Sequence, residues 1–206
     1  ENQINKFIGK RKIIYKRTLS NSFNIKCKKF SLEDGEVFVA KYYKKKENNF
    51  NSIISEANSL FYLNKKFPKL FPNIKYKSKE LLIIDYIDHN NFKNKNYQTI
   101  LAKVILKLHS ITNDKYGFKF DAQIGGLKQS NKFETNWINF FREKRLNMIF
   151  EKINHISPMP SSINKKIQKL LKKLEDYLPF NPKISLLHGD LWEGNILFNN
   201  GKLVGL

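Results

Sequence analysis

The sequence predicts an α+β fold of two lobes, a small antiparallel β-sheet carrying one helix, followed by a mainly helical lobe. Two observations support this prediction. Runs of β-branched and aromatic residues fill the beginning of the chain, and beyond about residue 90 the apolar residues recur at helical spacing. We assign residues 1–87 to the first lobe and residues 88–206 to the second.

Residues 12–43 have the pattern of β-strands. The runs 26–32 and 37–43 are rich in β-branched and aromatic residues and are separated by Glu33-Asp34-Gly35-Glu36. Asp-Gly between two such runs is a hairpin signal, because both residues tolerate the turn backbone. We therefore expect an antiparallel pair of strands here.

A helix is predicted to follow, with Asn51 or Ser52 as its N-cap and Phe67-Pro68 at its end. The short apolar run 80–87 then predicts a buried strand. Apolar residues recur at helical spacing within the predicted helix: Ile53, Ala57, Leu60, Phe61 and Leu63.

The second lobe is predicted to be helical over about 97–108, 133–150 and 163–178, where apolar residues again keep helical spacing. Two short strands are expected after these helices, at 184–187 and 196–198. Asn199-Asn200-Gly201 predicts a closing hairpin into the last residues of the chain.

The 206 residues are 41% apolar, and the longest apolar runs are the length of a strand rather than of a membrane helix. The only cysteine is Cys27, so no internal disulfide can form. The N-terminal residues contain no continuous apolar stretch of the kind found in a signal peptide. We therefore expect no membrane association and a cytoplasmic location.

The net charge of +20 raises the question of a nucleic-acid partner. All but four of the 38 basic residues are lysine, and they are spread along the chain. A nucleic-acid site would favour arginine clusters interleaved with aromatic residues, because arginine makes bidentate contacts to phosphate and bases. We therefore interpret the charge as a general basic bias and expect no nucleic-acid partner.

The segment from His188 to Asn195 lies between two predicted short strands and carries Asp190 and Asn195 five positions apart. Phosphoryl transfer needs a carboxylate to receive the proton of the acceptor hydroxyl, and oxygen ligands that hold Mg²⁺ on the phosphates. Asp190 suits the first role and Asn195 the second. The alternative is that both side chains only satisfy backbone groups of a turn.

Lys41 shares the face of a predicted strand with Val39, and Glu56 lies on the apolar stripe of the following helix. A buried lysine and a buried carboxylate each need an opposite charge. A Lys41–Glu56 pair would leave the lysine aimed at nucleotide phosphates, although both charges could instead face water. Together with Asp190 and Asn195, in this chain order, they predict a kinase that uses ATP and Mg²⁺.

With these residues in place, the sequence resembles the fructosamine kinase family, a branch of the aminoglycoside-phosphotransferase-like kinases. The discriminating residue is Trp192, two positions after Asp190 and followed by Gly194-Asn195. Further resemblance lies in 116–118, 124–131, Trp137, 140–143 and 145–146, and more weakly in 38–41, 56–57, 82–87 and 106–109.

The resemblance implies a protein-kinase-like fold and ATP-dependent phosphorylation of a sugar hydroxyl of a ketosamine, such as a fructosamine or ribulosamine adduct. Phosphorylation would destabilise the adduct and allow deglycation. The implied roles are the catalytic base for Asp190, Mg²⁺ binding for Asn195, nucleotide binding for Lys41, Glu56, Asp85, Tyr86 and Ile87, and substrate binding for His188 and Trp192.

The sequence departs from the family pattern in two places. Residues 18–23, where the family has a glycine-bearing nucleotide loop, contain no glycine, and we assign nucleotide contacts there to Ser20, Asn21 and Ser22. The family also has a metal-binding aspartate that is expected one or two residues past Leu206. We therefore expect the second lobe to be incomplete at its C-terminus.

Two other functions remain open at this stage. One is a kinase for another small alcohol, such as an aminoglycoside or choline, against which Trp192 and the 124–131 segment argue. The other is a non-catalytic binding protein with a kinase fold, against which the presence of Asp190 argues.

Overall fold

The computed structural model describes residues 2–45 and 50–206, and these residues divide into two compact units. The first comprises the described part of Glu1–Ile105 together with Ala122–Lys128 and His188–Leu206, and the second comprises Leu106–Asp121 and Gln129–Leu187. The lobe boundary at residue 87 stays a prediction.

The first unit is built on an antiparallel sheet of five strands within the described residues, in the order β1-β2-β3-β5-β4. The strands predicted at 26–32, 37–43 and 80–87 are confirmed, the last as a shorter strand. The strands are β1 (Ile13–Ser22), β2 (Ile25–Leu32), β3 (Val37–Tyr43), β4 (Ile74–Lys77) and β5 (Leu81–Asp85).

Helices cover both faces of this sheet. A short helix that the sequence analysis did not predict, α1 (Asn2–Ile8), packs through Ile4 and Ile8 against the face that carries Phe38. The opposite face carries Val39 and packs against Ile53 of the second helix. Because side chains alternate along β3, this second face is also the face that presents Lys41.

The helix α2 (Ser52–Lys66) begins at the predicted position. Asn51 is its N-cap, and its Oδ1 accepts a hydrogen bond from the N–H of Ile54 at 2.9 Å. This bond satisfies one of the backbone donors that every helix leaves unpaired in its first turn. The helix ends at Phe67, as the sequence predicts.

Two small hairpins complete the first unit. One joins β6 (Ala122–Ile124) to β7 (Leu127–Gln129), and the other joins β8 (Leu197–Asn199) to β9 (Lys202–Gly205). The second confirms the predicted closing hairpin. Its turn residues, Asn200 and Gly201, have φ values of 48° and 76°, the left-handed pair that a tight two-residue turn requires.

Helices dominate the second unit. The helix α3 (Tyr97–His109) crosses the division between the units. The predicted helix at 133–150 begins instead at Trp137 and reaches Ile156 as α4 (Trp137–Phe141), a π-helical segment (Arg142–Asn147) and α5 (Met148–Ile156). The prediction at 163–178 corresponds to α6 (Ser161–Lys172) and a 3₁₀ turn, Leu174–Asp176.

The prediction of a strand at 184–187 is wrong. Among the described residues, only Ser185 of this segment forms a bridge, to Thr112, and the N–H of Leu186 donates to the carbonyl of Ile111 at 2.8 Å. A strand needs a partner that pairs over several residues, and this segment finds one bridge only.

No helix among residues 2–45 and 50–206 combines the length and the apolar character that crossing a bilayer requires.

Candidate active site

A cleft of about 680 Å³ in the first unit brings together most of the residues predicted to carry chemistry. The walls of the cleft include strand β3, one face of helix α2 and the first residues after β5. The predicted site residues that line the cleft are Lys41, Glu56, 85–87, His188, Asp190 and Asn195.

Lys41 and Glu56 form the predicted ion pair: the ammonium of Lys41 donates a hydrogen bond to Oε1 of Glu56. Their side chains are 26% and 36% exposed, so the pair lies at the wall of the cleft rather than in the core. Burial acts to lower the pKa of Lys41, but the charge of Glu56, the neighbouring Cys27 and the hydrogen bond to Glu56 outweigh it, and the pKa is raised. The lysine is therefore a permanent positive charge in the cleft.

Cys27 lies directly across from Lys41 in the register of β2 and β3. The thiol is buried, and burial raises its pKa, although the charge of Lys41 acts in the opposite direction. It is therefore a neutral, apolar neighbour beneath the lysine.

Asp190 and Asn195 hold each other in place. The side-chain amide nitrogen of Asn195 donates to the backbone carbonyl of Asp190 at 2.8 Å and to its Oδ2 at 2.9 Å. A 3₁₀ turn over Glu193–Asn195 and a left-handed Gly189, with φ of 88°, bend the chain so that the two side chains meet. The carboxylate of Asp190 is exposed, and within the described part of the chain no hydrogen bond engages its second oxygen.

His188 supports the same loop. Its Nδ1 accepts a hydrogen bond from the N–H of Asp190 at 3.3 Å, and its ring stacks on Phe71 with centroids 6.3 Å apart. Burial lowers the pKa of His188 more than the nearby Asp190 raises it. The imidazole is therefore neutral at neutral pH, which leaves Nδ1 free to accept this bond. Its predicted contact with substrate stays a prediction.

Residues 85–87 lie at the end of β5 and just beyond it, and some of their polar groups already form hydrogen bonds or an ion pair. Oδ2 of Asp85 accepts from Nδ2 of Asn73 at 2.8 Å and its Oδ1 lies 3.2 Å from Nζ of Lys75. The carbonyl of Ile87 accepts from Nδ1 of His89 at 2.9 Å. In residues 2–45 and 50–206, no hydrogen bond occupies the backbone of Tyr86 or the N–H of Ile87.

The glycine-free segment belongs to a β-hairpin rather than an open loop, with a break in the strand register between Thr18 and Ser20. Ser20, Asn21 and Ser22 pair with Cys27, Lys26 and Ile25 across β1 and β2. All three are exposed, and the residue of this strand that lines the cleft is Leu19. Their predicted contact with nucleotide stays a prediction.

Trp192 is 61% exposed, and its ring lies over Gly194. A Cβ atom at Gly194 would overlap the tryptophan ring, so only glycine allows this placement. Sequence reasoning assigned no role to Gly194, although the Trp-x-Gly spacing was visible. It also gave no role to Phe71, which only the folded chain brings beneath His188.

The residues present fit a magnesium site of the kind that relies on phosphate oxygens. Because the Asn195 amide nitrogen is held by Asp190, its Oδ1 remains as an oxygen donor beside the carboxylate. Among the described residues, no group of three or more histidine, cysteine, aspartate or glutamate side chains is arranged to hold a metal. Mg²⁺ commonly uses one or two protein ligands together with substrate phosphates. The aspartate expected past Leu206 stays a prediction.

Comparison with known proteins identifies the family. The family model described as fructosamine kinase matches residues 2–204. The chain belongs to the fructosamine kinase family. A relative from Enterococcus faecium named "probable ketoamine kinase" is 31% identical over 121 residues, which cover 57% of this chain and 42% of the relative. The chain thus spans less than half the length of that relative.

Solved structures of this and a neighbouring family share the fold. A protein of Thermobifida fusca assigned as a fructosamine-3-kinase superposes with a TM-score of 0.79 at 18% identity, over 99% of this chain and 69% of that one. APH(2″)-IIa in a ternary complex with streptomycin and ATP superposes with a TM-score of 0.60 at 18% identity, over 100% and 67%. At these identities the likeness shows the fold alone, and it confirms the predicted protein-kinase-like fold.

Proposed function

We propose that the chain carries the nucleotide-binding and catalytic parts of a kinase that transfers the γ-phosphoryl group of ATP to a sugar hydroxyl of a ketosamine. The observation that carries the proposal is the Asp190–Asn195 pair, which shares one cleft with the Lys41–Glu56 ion pair. Membership of the fructosamine kinase family supports the ketosamine as substrate.

Asp190 is the proposed catalytic base. As the substrate hydroxyl oxygen forms its bond to the γ-phosphorus and the bond to ADP breaks, the hydroxyl proton passes to the free carboxylate oxygen of Asp190. Asn195 holds the other oxygen, so the carboxylate keeps one orientation without having to be ordered by substrate.

Lys41 is proposed to bind the nucleotide phosphates, with Glu56 as the residue that positions it. Within residues 2–45 and 50–206 no hydrogen bond occupies the backbone of Tyr86 or the N–H of Ile87, and these groups suit the edge of an adenine ring, whereas the N–H of Asp85 already donates to the carbonyl of Asn73 at 3.0 Å. Mg²⁺, held by Asn195 and the phosphates, would neutralise charge that develops during transfer.

Phosphorylation of the sugar would destabilise the adduct and so serve deglycation, with a fructosamine or ribulosamine adduct as substrate. Exposed Trp192 offers an aromatic face for the sugar. A cytoplasmic location and the absence of a nucleic-acid partner stay predictions.

The test is turnover of ATP with a fructosamine or ribulosamine, comparing wild type with Asp190→Asn. General-base catalysis contributes about 10²–10⁴-fold, so we expect Asp190→Asn to lower kcat by at least about 100-fold while ATP affinity is kept. The matched control is Asp176→Asn, at an exposed aspartate of the second unit, which should leave kcat unchanged.

Three other results would count against the proposal. Full activity of Asp190→Asn would remove the assigned base. Turnover of an aminoglycoside but of no ketosamine would favour a kinase for another alcohol. Folded protein that binds no ATP would favour the non-catalytic binding protein.

A further inference from the structure

Two hairpins of the first unit touch at their tips. Phe23 lies at the tip of the β1–β2 hairpin, and Gly126 lies at the tip of the β6–β7 hairpin. A Cβ atom added to Gly126 would lie 2.7 Å from Cδ1 of Phe23 and 3.0 Å from its Cβ. These distances are shorter than side chains tolerate, so the contact depends on glycine at position 126.

The first tip adopts a costly backbone conformation. Phe23 and Asn24 have φ values of 49° and 62°. Asparagine tolerates the left-handed region, but phenylalanine is rarely found there because its Cβ crowds the following carbonyl. Such a residue persists only where its surroundings hold it.

Asn24 provides one of these restraints. Its carbonyl accepts from the N–H of Lys44 at 2.9 Å, its Oδ1 accepts from the N–H of Lys45 at 3.0 Å, and its Nδ2 donates to the carbonyl of Lys45 at 2.8 Å. These bonds fix one side of the tip to the end of β3. Gly126 contacts the other side through the Phe23 ring.

Both hairpins also form walls of the candidate active site. Leu19 of β1 and Ala122 and Gln123 of the β6 side line the same cleft as Lys41 and Asp190. The contact between the tips therefore joins two segments that flank the proposed nucleotide site.

We propose that the Phe23–Gly126 contact is a clasp that holds the β1–β2 hairpin in position over the phosphates of bound ATP. This inference rests on the proposed function. A glycine-bearing loop reaches phosphate with its own backbone, whereas this glycine-free hairpin depends on a second hairpin to keep its place. Phe23 and Gly126 are accordingly positioning residues for the nucleotide.

The chain provides a matched control for this idea. Gly125 has a φ of 55°, so an alanine there is strained as it is at Gly126, where φ is 79°. A Cβ at Gly125 meets nothing within 4 Å, whereas a Cβ at Gly126 meets the Phe23 ring. The difference between Gly125→Ala and Gly126→Ala therefore isolates the contact from the backbone strain.

The first readout is amide hydrogen exchange in residues 20–25 without nucleotide. We expect faster exchange there in Gly126→Ala and in Phe23→Gly, and no change in Gly125→Ala relative to wild type. The double variant Phe23→Gly/Gly126→Ala should exchange no faster than Phe23→Gly, because the single variant Phe23→Gly has already lost the contact with Gly126. Unchanged exchange in Gly126→Ala would overturn the clasp.

The second readout is the Kd for a non-hydrolysable ATP analogue. We expect Gly126→Ala to bind about tenfold more weakly than Gly125→Ala, because the displaced hairpin would no longer keep Leu19 at the wall of the cleft. Faster exchange with unchanged affinity would make the contact structural only and overturn its role in nucleotide binding. If wild type itself binds no analogue, the proposed function fails, and the exchange data still decide whether the clasp exists.

Discussion

The ammonium of Lys41 lies between a carboxylate that stabilises its charge and a buried thiol that is neutral at neutral pH. This arrangement explains why a lysine is tolerated on a face that otherwise packs against α2. The pair is partly exposed, so its contribution to stability is modest, on the order of 1 kcal/mol. Its value lies in keeping a positive charge at one point of the cleft.

We predict that Lys41→Met lowers the free energy of unfolding at neutral pH, because Glu56 loses its partner. The folded-state pKa of Lys41 is raised above the ordinary 10.5, so the stabilising contribution is complete below pH 10.5 and is lost as the pH rises through the folded-state pKa. Urea unfolding between pH 7 and strongly alkaline pH measures the difference between wild type and Lys41→Met.

Lys77→Met, at an exposed position of β4, is the control for the titration of the other lysines. After subtraction of this control, the advantage of wild type should be constant up to pH 10.5 and shrink above it. An advantage that already disappears near neutral pH would contradict the raised pKa.

His188 is expected to weaken the fold in acid. Its folded-state pKa is lowered from 6.5, so the unfolded chain takes up its proton first, and stability is lost as the pH falls below 6.5 until the folded-state pKa is passed. His188→Asn keeps an acceptor for the Asp190 N–H but does not titrate. Unfolding free energies between pH 7 and pH 5 should therefore fall less in His188→Asn than in wild type.

The comparison variant is His155→Asn, at an exposed histidine that does not line the cleft. Equal pH dependence in wild type and His188→Asn would show that the imidazole takes up its proton as easily in the folded state as in the unfolded state.

At the scale of elements, α2 matters most, because it carries Glu56 and covers the Lys41 face of the sheet. Its start was predictable, since capping is a local signal. The same holds for β2, β3 and the β8–β9 hairpin. The helix α1 escaped prediction because its seven residues bury only Ile4 and Ile8, too few to produce a periodic pattern.

We predict that Asn51→Ala destabilises the protein by about 1 kcal/mol through loss of the cap on α2. Asn51→Asp keeps the oxygen that accepts from the Ile54 N–H and from the hydroxyl of Tyr43 at 3.3 Å and, like alanine, loses the bond from Nδ2 to the carbonyl of Lys79. Urea unfolding of the two variants separates the bonds accepted by Oδ1 from the bond donated by Nδ2. Equal destabilisation by alanine and aspartate would show that the cap contributes little.

At the scale of the whole molecule, the dominant property is the net charge of +20, from 38 basic and 18 acidic residues. Charge of one sign destabilises a compact state through self-repulsion. Ion pairs such as Arg142–Glu175, at 2.6 Å, oppose this effect only locally and are themselves screened by salt. Repulsion should therefore dominate the response to salt.

We predict that the melting temperature rises when NaCl is increased from roughly 0.02 M to roughly 0.3 M, because screening shortens the range of lysine repulsion. The variant Lys165→Glu/Lys169→Glu, at two exposed positions of α6, lowers the net charge by four, from +20 to +16, and should show a smaller rise. A melting temperature that falls with salt would show that ion pairs outweigh the repulsion.

Local patterns were enough to propose the site residues of this protein: a lysine on a strand, a glutamate on the next helix, and an Asp and an Asn five residues apart in a loop. Such patterns are readable because each depends on the spacing of residues that are close in the chain. The contacts between residues that are far apart in the chain depend on how distant segments pack, and local patterns do not show them. Only the folded chain shows that His188 rests on Phe71 and that Phe23 meets Gly126.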